Sequence, residues 1–208
     1  NMMGAFKFIT EVEKYNSGIK RKWAEYQDKK LKASEEGIDF TENEPENKEI
    51  IPILGCEFYI SDRPEQKQFT KEDPDRRTNM VLLAKNFNGY KNLAKLSSMG
   101  YVNGFYFGVP RISRKMIAEY KKDIIAVTSG VNGDIPDAIL NFGEQRGEEL
   151  FKWWKEEFGD DFYVQIQNHG LQEEEHLNEI LLQLADKYDV KILAQNETFY
   201  TEKSDANI

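Results

Sequence analysis

Asn79-Met-Val-Leu-Leu-Ala-Lys-Asn-Phe-Asn-Gly-Tyr-Lys-Asn-Leu-Ala-Lys-Leu-Ser-Ser98, continued by Gly104-Phe-Tyr-Phe-Gly-Val-Pro-Arg-Ile112, is the stretch on which the fold turns. Val81 to Ala84 is an apolar run of strand length. Asn86-Phe-Asn-Gly89 is a turn signal that also opens a helix, with asparagine as its cap. Tyr90, Leu93, Ala94 and Leu96 then recur at helical spacing. The unit is therefore a strand, a tight turn and an amphipathic helix.

The same alternation extends outward from this stretch. Upstream, Ala5, Phe6, Ile9 and Val12 are expected to share one face of a first helix. Between Ser17 and Lys48 the composition shifts: Lys20 to Lys32 extends a charged helix, and Glu35 to Lys48 is acidic with a lone Pro45. This segment is expected to be peripheral and exposed. Ile50 to Ile60 is predicted as a strand with Pro52 near its start, and Ser61 to Thr78 as a polar loop. Downstream, Ser113 caps a short helix to Tyr120, and Asp123 to Ser129 is a buried strand. Pro136 suits the first turn of the helix that follows. Leu150, Phe151, Trp154 and Phe158 form one helical face, so of the adjacent Trp153 and Trp154 one faces the core and the other its edge. Phe162 to Gln167 is a strand, Leu177 to Tyr188 a helix, and Val190 to Asn196 a closing strand. Strands alternating with helices predict an α/β fold on a parallel sheet, open or closed into a barrel.

Bulk properties narrow the function. The 208 residues suffice for one domain with a sizeable core, and 39% hydrophobic content argues against disorder. A formal charge of -9 makes this segment a poor grip for phosphodiester backbones. The single cysteine, Cys56, excludes an internal disulfide framework or a multi-thiolate zinc site, and burial is its expected role. No run approaches the roughly 18 apolar residues of a membrane span, so a cytoplasmic setting is expected. A first residue other than Met and an abrupt close at Asp205-Ala-Asn-Ile208 suggest a fragment of a longer chain.

Taken with Leu54-Gly-Cys-Glu-Phe-Tyr-Ile60 and Gln165-Ile-Gln-Asn-His-Gly-Leu171, the opening stretch resembles the PHP (polymerase and histidinol phosphatase) domains of bacterial replicative DNA polymerase III alpha subunits. The resemblance runs from Asn1-Met-Met-Gly-Ala-Phe6 to Asn196-Glu-Thr-Phe-Tyr200, interrupted by an insertion at about 17–48. It implies a distorted (βα)7 barrel with its site at the carboxyl ends of the strands, here lacking about two strands and one helix ahead of Asn1.

The resemblance also supplies a test of chemistry. Active PHP domains hold up to three divalent metals on His, Asp, Glu and sometimes Cys ligands, and cleave phosphoesters with a metal-bound hydroxide. The family's His-x-His and Asp-His-Gly ligands would precede residue 1. Glu57 matches a bridging carboxylate, whereas a family His falls on Asn79 and a Cys or His on Gly130. In the closing motif Asn196 is retained, the Asp falls on Glu197 and the His on Phe199. Three of the five testable positions have thus lost a strong ligand. Glu57 and Glu197 would hold at most one weakly bound divalent cation such as Mg²⁺.

Other motifs favour ordinary structure. His169 and His176 lack His-x-x-x-His spacing, and His169 is expected in a loop with a capping or hydrogen-bonding role. Gly100 to Gly108 lacks the phosphate-loop pattern, and Tyr101, Phe105, Tyr106 and Phe107 are expected to pack in the core or against another domain. Ser129-Gly130 shows no hydrolase elbow.

The leading expectation is a non-catalytic PHP domain that supports the other modules of a polymerase chain and docks a proofreading exonuclease or other replisome subunits. Polymerase activity, its Mg²⁺ and its DNA contacts would belong to the parent chain. The alternatives are a metal-dependent phosphoesterase or 3'-5' exonuclease of the same superfamily, and an independent protein-binding module.

Overall fold

In the computed structural model the described residues are 2–196, 198 and 201–207. The chain divides into two compact units, Met2–Leu54 and the part from Gly55 onward. The first is built on one long helix, α1 (Ala5–Glu36), which closes at Gly37 in the left-handed conformation, φ 67°. The chain then returns along α1 without regular secondary structure. Tyr26 meets Phe40 edge to face at 5.2 Å, Lys29 pairs with Glu42 at 2.8 Å, and Lys20 with Glu49 at 3.2 Å. The side-chain amide of Asn16 donates to the Ile50 carbonyl at 2.8 Å and accepts its N–H at 2.9 Å.

This unit corrects two expectations. Ala5 and Val12 are buried, but Phe6 is 82% exposed, because it lies about 100° from Ala5 around the helix. The strand expected from Ile50 begins only at Gly55. Asn16 has already taken both backbone groups of Ile50, and Pro52 has no N–H to offer a ladder.

The second unit carries a six-stranded sheet. Its strands are β1 (Gly55–Ile60), β2 (Thr78–Ala84), β3 (Arg111–Ile112), β4 (Ile124–Val127), β5 (Phe162–Ile166) and β6 (Lys191–Ala194), ordered β3-β1-β2-β4-β5-β6. The pairs β1/β3, β4/β5 and β5/β6 are parallel, whereas β2 runs antiparallel to both β1 and β4. The expected α/β class holds, and the parallel-dominated sheet is consistent with a fragment of a (βα) barrel. Local connectivity explains the reversed strand: residues 61–77 join β1 to β2 without a helix, and a parallel neighbour needs a crossover. Helices α4 (Asp134–Phe142) and α5 (Glu144–Phe158) cross from β4 to β5, and α6 (Gln172–Lys187) crosses from β5 to β6.

Helix α2 (Phe87–Val102) starts where Asn86 accepts the N–H groups of Asn88 and Gly89. Residue 89 must be glycine, since a Cβ there would sit 2.0 Å from the Asp123 carbonyl oxygen. Helix α3 (Arg114–Tyr120) is capped by Ser113, which accepts from the Met116 N–H. Cys56, Phe58 and Ile60 of β1 alternate inward, and Met80, Leu82, Leu93, Phe151, Trp154 and Leu181 are among the buried residues of this unit. Trp153 sits half-buried beside the fully buried Trp154.

Arg111 is the largest departure from an apolar interior. It is fully buried, and its guanidinium donates to the carbonyls of Gly104, Pro64 and Gln66 and to Asp75 at 2.6–3.0 Å. The rings of Phe69 and Tyr106 flank it at 5.4 and 5.0 Å. The four nearby aromatics, expected in the core or against another domain, divide. Tyr106 joins this cluster, whereas Tyr101, Phe105 and Phe107 are exposed, and Phe107 adopts φ 45°. The buried charge uses one ring of the loop, and the left-handed turn directs the next outward.

Candidate functional site

The loops after β4 and β5, together with the start of β2, surround a cleft of about 330 Å³. Strand β1 contributes Glu57 and β2 contributes Asn79. In the β1/β2 register Glu57 stands opposite Val81, which makes Asn79 its diagonal neighbour on the same face. The Asn79 side-chain amide donates to Glu57 Oε1 at 2.9 Å. Asn79 also fastens the loop after β4, because its backbone N–H donates to the Asn132 carbonyl at 2.9 Å. Within that loop the Gly133 N–H donates to the Gly130 carbonyl at 2.7 Å, a tight turn leading directly into α4.

Gly130 lies against Gln167, the residue after β5. A Cβ added at position 130 would come within 2.3 Å of Gln167 Oε1. The Gln167 carboxamide therefore fills the space that any side chain at 130 would enter. Gln167 and Ser129 are each 6% exposed, and Gln167 Nε2 and Ser129 Oγ are buried without a hydrogen-bond partner.

His169 lies in the loop ahead of α6. Its ring Nδ1 and its backbone N–H meet the two carboxylate oxygens of Glu174, each at 2.6 Å. Burial alone would push the Glu174 carboxyl up, but the His169 ring and backbone N–H outweigh it and hold the group below its ordinary value. Asn196 steadies the same loop: its side chain accepts the Asn168 N–H at 3.1 Å and donates to the Asn168 carbonyl at 3.2 Å. His176 is exposed on α6 and does not line the cleft. Glu197 and Phe199 lie outside the described residues.

Among the described residues the donors do not make up a cluster of metal ligands: no three His, Cys, Asp or Glu side chains converge as a ligand set. One oxygen of Glu57 is occupied by an amide N–H, and both oxygens of Glu174 are occupied by His169. Also among the described residues, no helix is long and apolar enough to cross a membrane.

A second polar cluster adjoins the cleft and was not read from the sequence. Asp134, 1% exposed, accepts from Thr78 Oγ1 and from Nε and Nη2 of Arg114, each at 2.7 Å, and from Trp154 Nε1 at 2.9 Å. Arg114 Nη1 reaches Asp62 at 2.5 Å. The only local hint was an acidic residue in the first turn of a helix with Pro136. Gln167 was likewise missed because the glycine it packs against lies in another loop, and Glu174 because nothing marked it as the partner of His169 five positions upstream.

Comparison with known proteins places these features in context. The family described as PHP domain matches residues 1–169. The DNA polymerase III subunit alpha of Borreliella burgdorferi is 36% identical over 162 residues, which is 76% of this chain and 14% of that protein. The corresponding subunit of Deinococcus radiodurans is 33% identical over 161 residues, covering 76% of this chain and 12% of that protein. That of Aquifex aeolicus is 35% identical over 162 residues, covering 75% and 14% respectively. The chain thus spans about one-seventh of the length of the curated relatives it matches.

Proposed function

The chain belongs to the PHP domain family, and from that membership we propose that it is the PHP domain of a replicative DNA polymerase III alpha subunit whose ancestral metal site no longer works. Its role is structural: it supports the remaining modules of the polymerase chain and offers a surface to a proofreading exonuclease or other replisome subunits. DNA-directed DNA synthesis, the Mg²⁺ it needs and the grip on DNA reside elsewhere in that chain, in the cytoplasm. The net charge of -9 fits a domain that leaves the phosphodiester backbone to others.

The observation that carries this reading is the Asn79–Glu57 hydrogen bond. A family ligand at position 79 would present a lone pair to a metal ion, whereas Asn79 turns an amide N–H, which cannot coordinate one, toward Glu57. Gly130 and the Gln167 carboxamide beside it support the same reading, since the pair leaves no donor pointing from position 130.

Metal analysis and polymerase assays on the full-length protein test it. We expect less than one transition metal per chain after dialysis, and primer extension unchanged by Glu57→Gln. A tightly held metal cluster, with phosphoesterase or 3'-5' exonuclease activity lost on the same substitution, would overturn the proposal in favour of a working hydrolase.

A further inference from the structure

Charge in this chain is unevenly spread. Residues 85–122 hold eight of the 28 Lys and Arg and, of the 37 Asp and Glu, Glu119 alone, so this segment carries +7 and the remainder -16. Four of the eight cations already have partners: Lys85 pairs with Asp161, Arg111 with Asp75, Arg114 with Asp134 and Asp62, and Lys121 with Glu157. Lys91, Lys95, Lys115 and Lys122 are exposed, and among the described residues none has a carboxylate within ion-pair distance.

Two of these lysines stand on one exposed stripe of α2. Gly89, Leu93, Leu96 and Gly100 form the buried side of that helix. On the opposite side Phe87, Lys91, Lys95, Ser98 and Val102, at offsets of 4, 8, 11 and 15, are all exposed. At the helical rise the stripe is about 22 Å long. Its cations lie between apolar ends, since Phe87 is 67% and Val102 81% exposed, and α2 contains no acidic residue. The Lys91 ammonium sits 4.6 Å from the Phe87 ring. The end of α3 is fastened beside the stripe: the Asn92 side-chain amide donates to the Lys122 carbonyl at 2.9 Å, and the Lys95 ammonium lies 4.5 Å from the Tyr120 ring.

Unpaired cations between exposed apolar ends complement a segment of opposite charge with apolar side chains of its own. Two features favour a peptide over a nucleic acid. The free cations are all lysines, point charges without the planar fork that grips a phosphate through two hydrogen bonds. A nucleic-acid strand running beyond the stripe also meets a protein that is otherwise -16, whereas a short peptide ends with the stripe. We propose that the exposed stripe of α2 is a docking site for an acidic peptide segment of a partner protein, its carboxylates on Lys91 and Lys95 and its apolar side chains against Phe87 and Val102. The inference deepens the docking role proposed above and rests on it.

Fluorescence anisotropy on the full-length protein tests it, with primer–template DNA in excess so that a DNA groove elsewhere in the chain is filled. The labelled peptide matches the stripe in length, about 16 residues, with Glu and Leu in amphipathic helical order and Ala between them. A second peptide has Gln at every Glu. The acidic peptide is expected to bind, and its affinity to fall about fivefold in Lys91→Gln/Lys95→Gln, as expected for two exposed ion pairs, and about as much in Phe87→Ala. The Gln peptide should bind more weakly by a similar factor. Circular dichroism melts establish that both variants are folded. No binding of the acidic peptide, equal binding of the Gln peptide, or affinity unchanged in both folded variants would overturn the site. So would a labelled single strand of DNA that loses affinity in the lysine variant where the peptide does not, which assigns the face to nucleic acid. Self-association in sedimentation that the lysine variant abolishes would assign it to a second copy of the chain, and likewise overturn the proposal. A metal cluster that survives dialysis defeats the reading of the cleft while leaving peptide binding in place, and failure of peptide binding in a metal-free protein sinks only the stripe.

Discussion

Two polar clusters sit side by side and share their backbone. Thr78 belongs to one and Asn79 to the other, and the loop that ends at Gly133 serves both. Around Asp134 each carboxylate oxygen accepts two hydrogen bonds, and the buried charge is paired with a half-buried arginine. Around Gln167 and Ser129 two buried polar atoms have no partner, and the carboxylate nearby is exposed. A buried charge is tolerated only when fully satisfied, because its desolvation is otherwise uncompensated. The Asp134 cluster therefore behaves as architecture. The cleft does not reach that degree of internal satisfaction among the described residues.

The sharpest way to break this contrast is Asp134→Ala. It takes from the half-buried Arg114 guanidinium two of its hydrogen bonds, leaving it Asp62, and strands the buried Trp154 N–H, and we expect a loss of about 2–4 kcal/mol in urea denaturation. A loss no larger than that of a surface substitution would mean that the cluster is not a structural hub. In the cleft, Gly130→Cys should cost about 1–3 kcal/mol through its clash with Gln167 Oε1. Much of that cost should vanish in a Gln167→Ala background, and additive effects in the double-mutant cycle would refute the coupling.

A smaller effect is expected from Asn79→Ala, about 0.5–1 kcal/mol, since Glu57 can turn to water when its donor is removed. The mildest test is acid titration. The folded Glu174 carboxyl lies below its ordinary value of 4.5, so near that pH the unfolded chain binds more protons than the native one. Its stabilisation is complete above pH 4.5 and is lost as pH falls through the lower folded value. Glu174→Gln should flatten that slope, as read by thermal melts across the acid range, and an unchanged slope would assign the effect to other carboxylates.

How far the fold was legible depended on how local each determinant is. The β2 to α2 passage could be read because Asn86 caps its own helix and Leu93 and Leu96 repeat within it. The start of β1 was misread because the residue that claims Ile50 is Asn16, 34 positions away. The reversal of β2 could not be read, since alternation of apolar residues carries no strand direction. In the cleft, the resemblance to a family singled out Glu57, Asn79 and Gly130. The role of Gln167 emerged only from the approach of two loops, and the Asp134 cluster from residues 20 and 56 positions apart.

Arg111 also bears on the order in which the chain assembles. Its partners stand 7, 36, 45 and 47 positions from it, on two separate loops. A guanidinium cannot be left half-dehydrated without a large penalty, so its burial must await both loops at once. We therefore expect the clamp to form after the folding barrier, so that Arg111→Met speeds unfolding more than it slows folding in stopped-flow chevrons, and the reverse would place it in the nucleus. In a molecule whose cleft stays open to the solvent, persistence of the fold over time depends on a residue far from any chemistry.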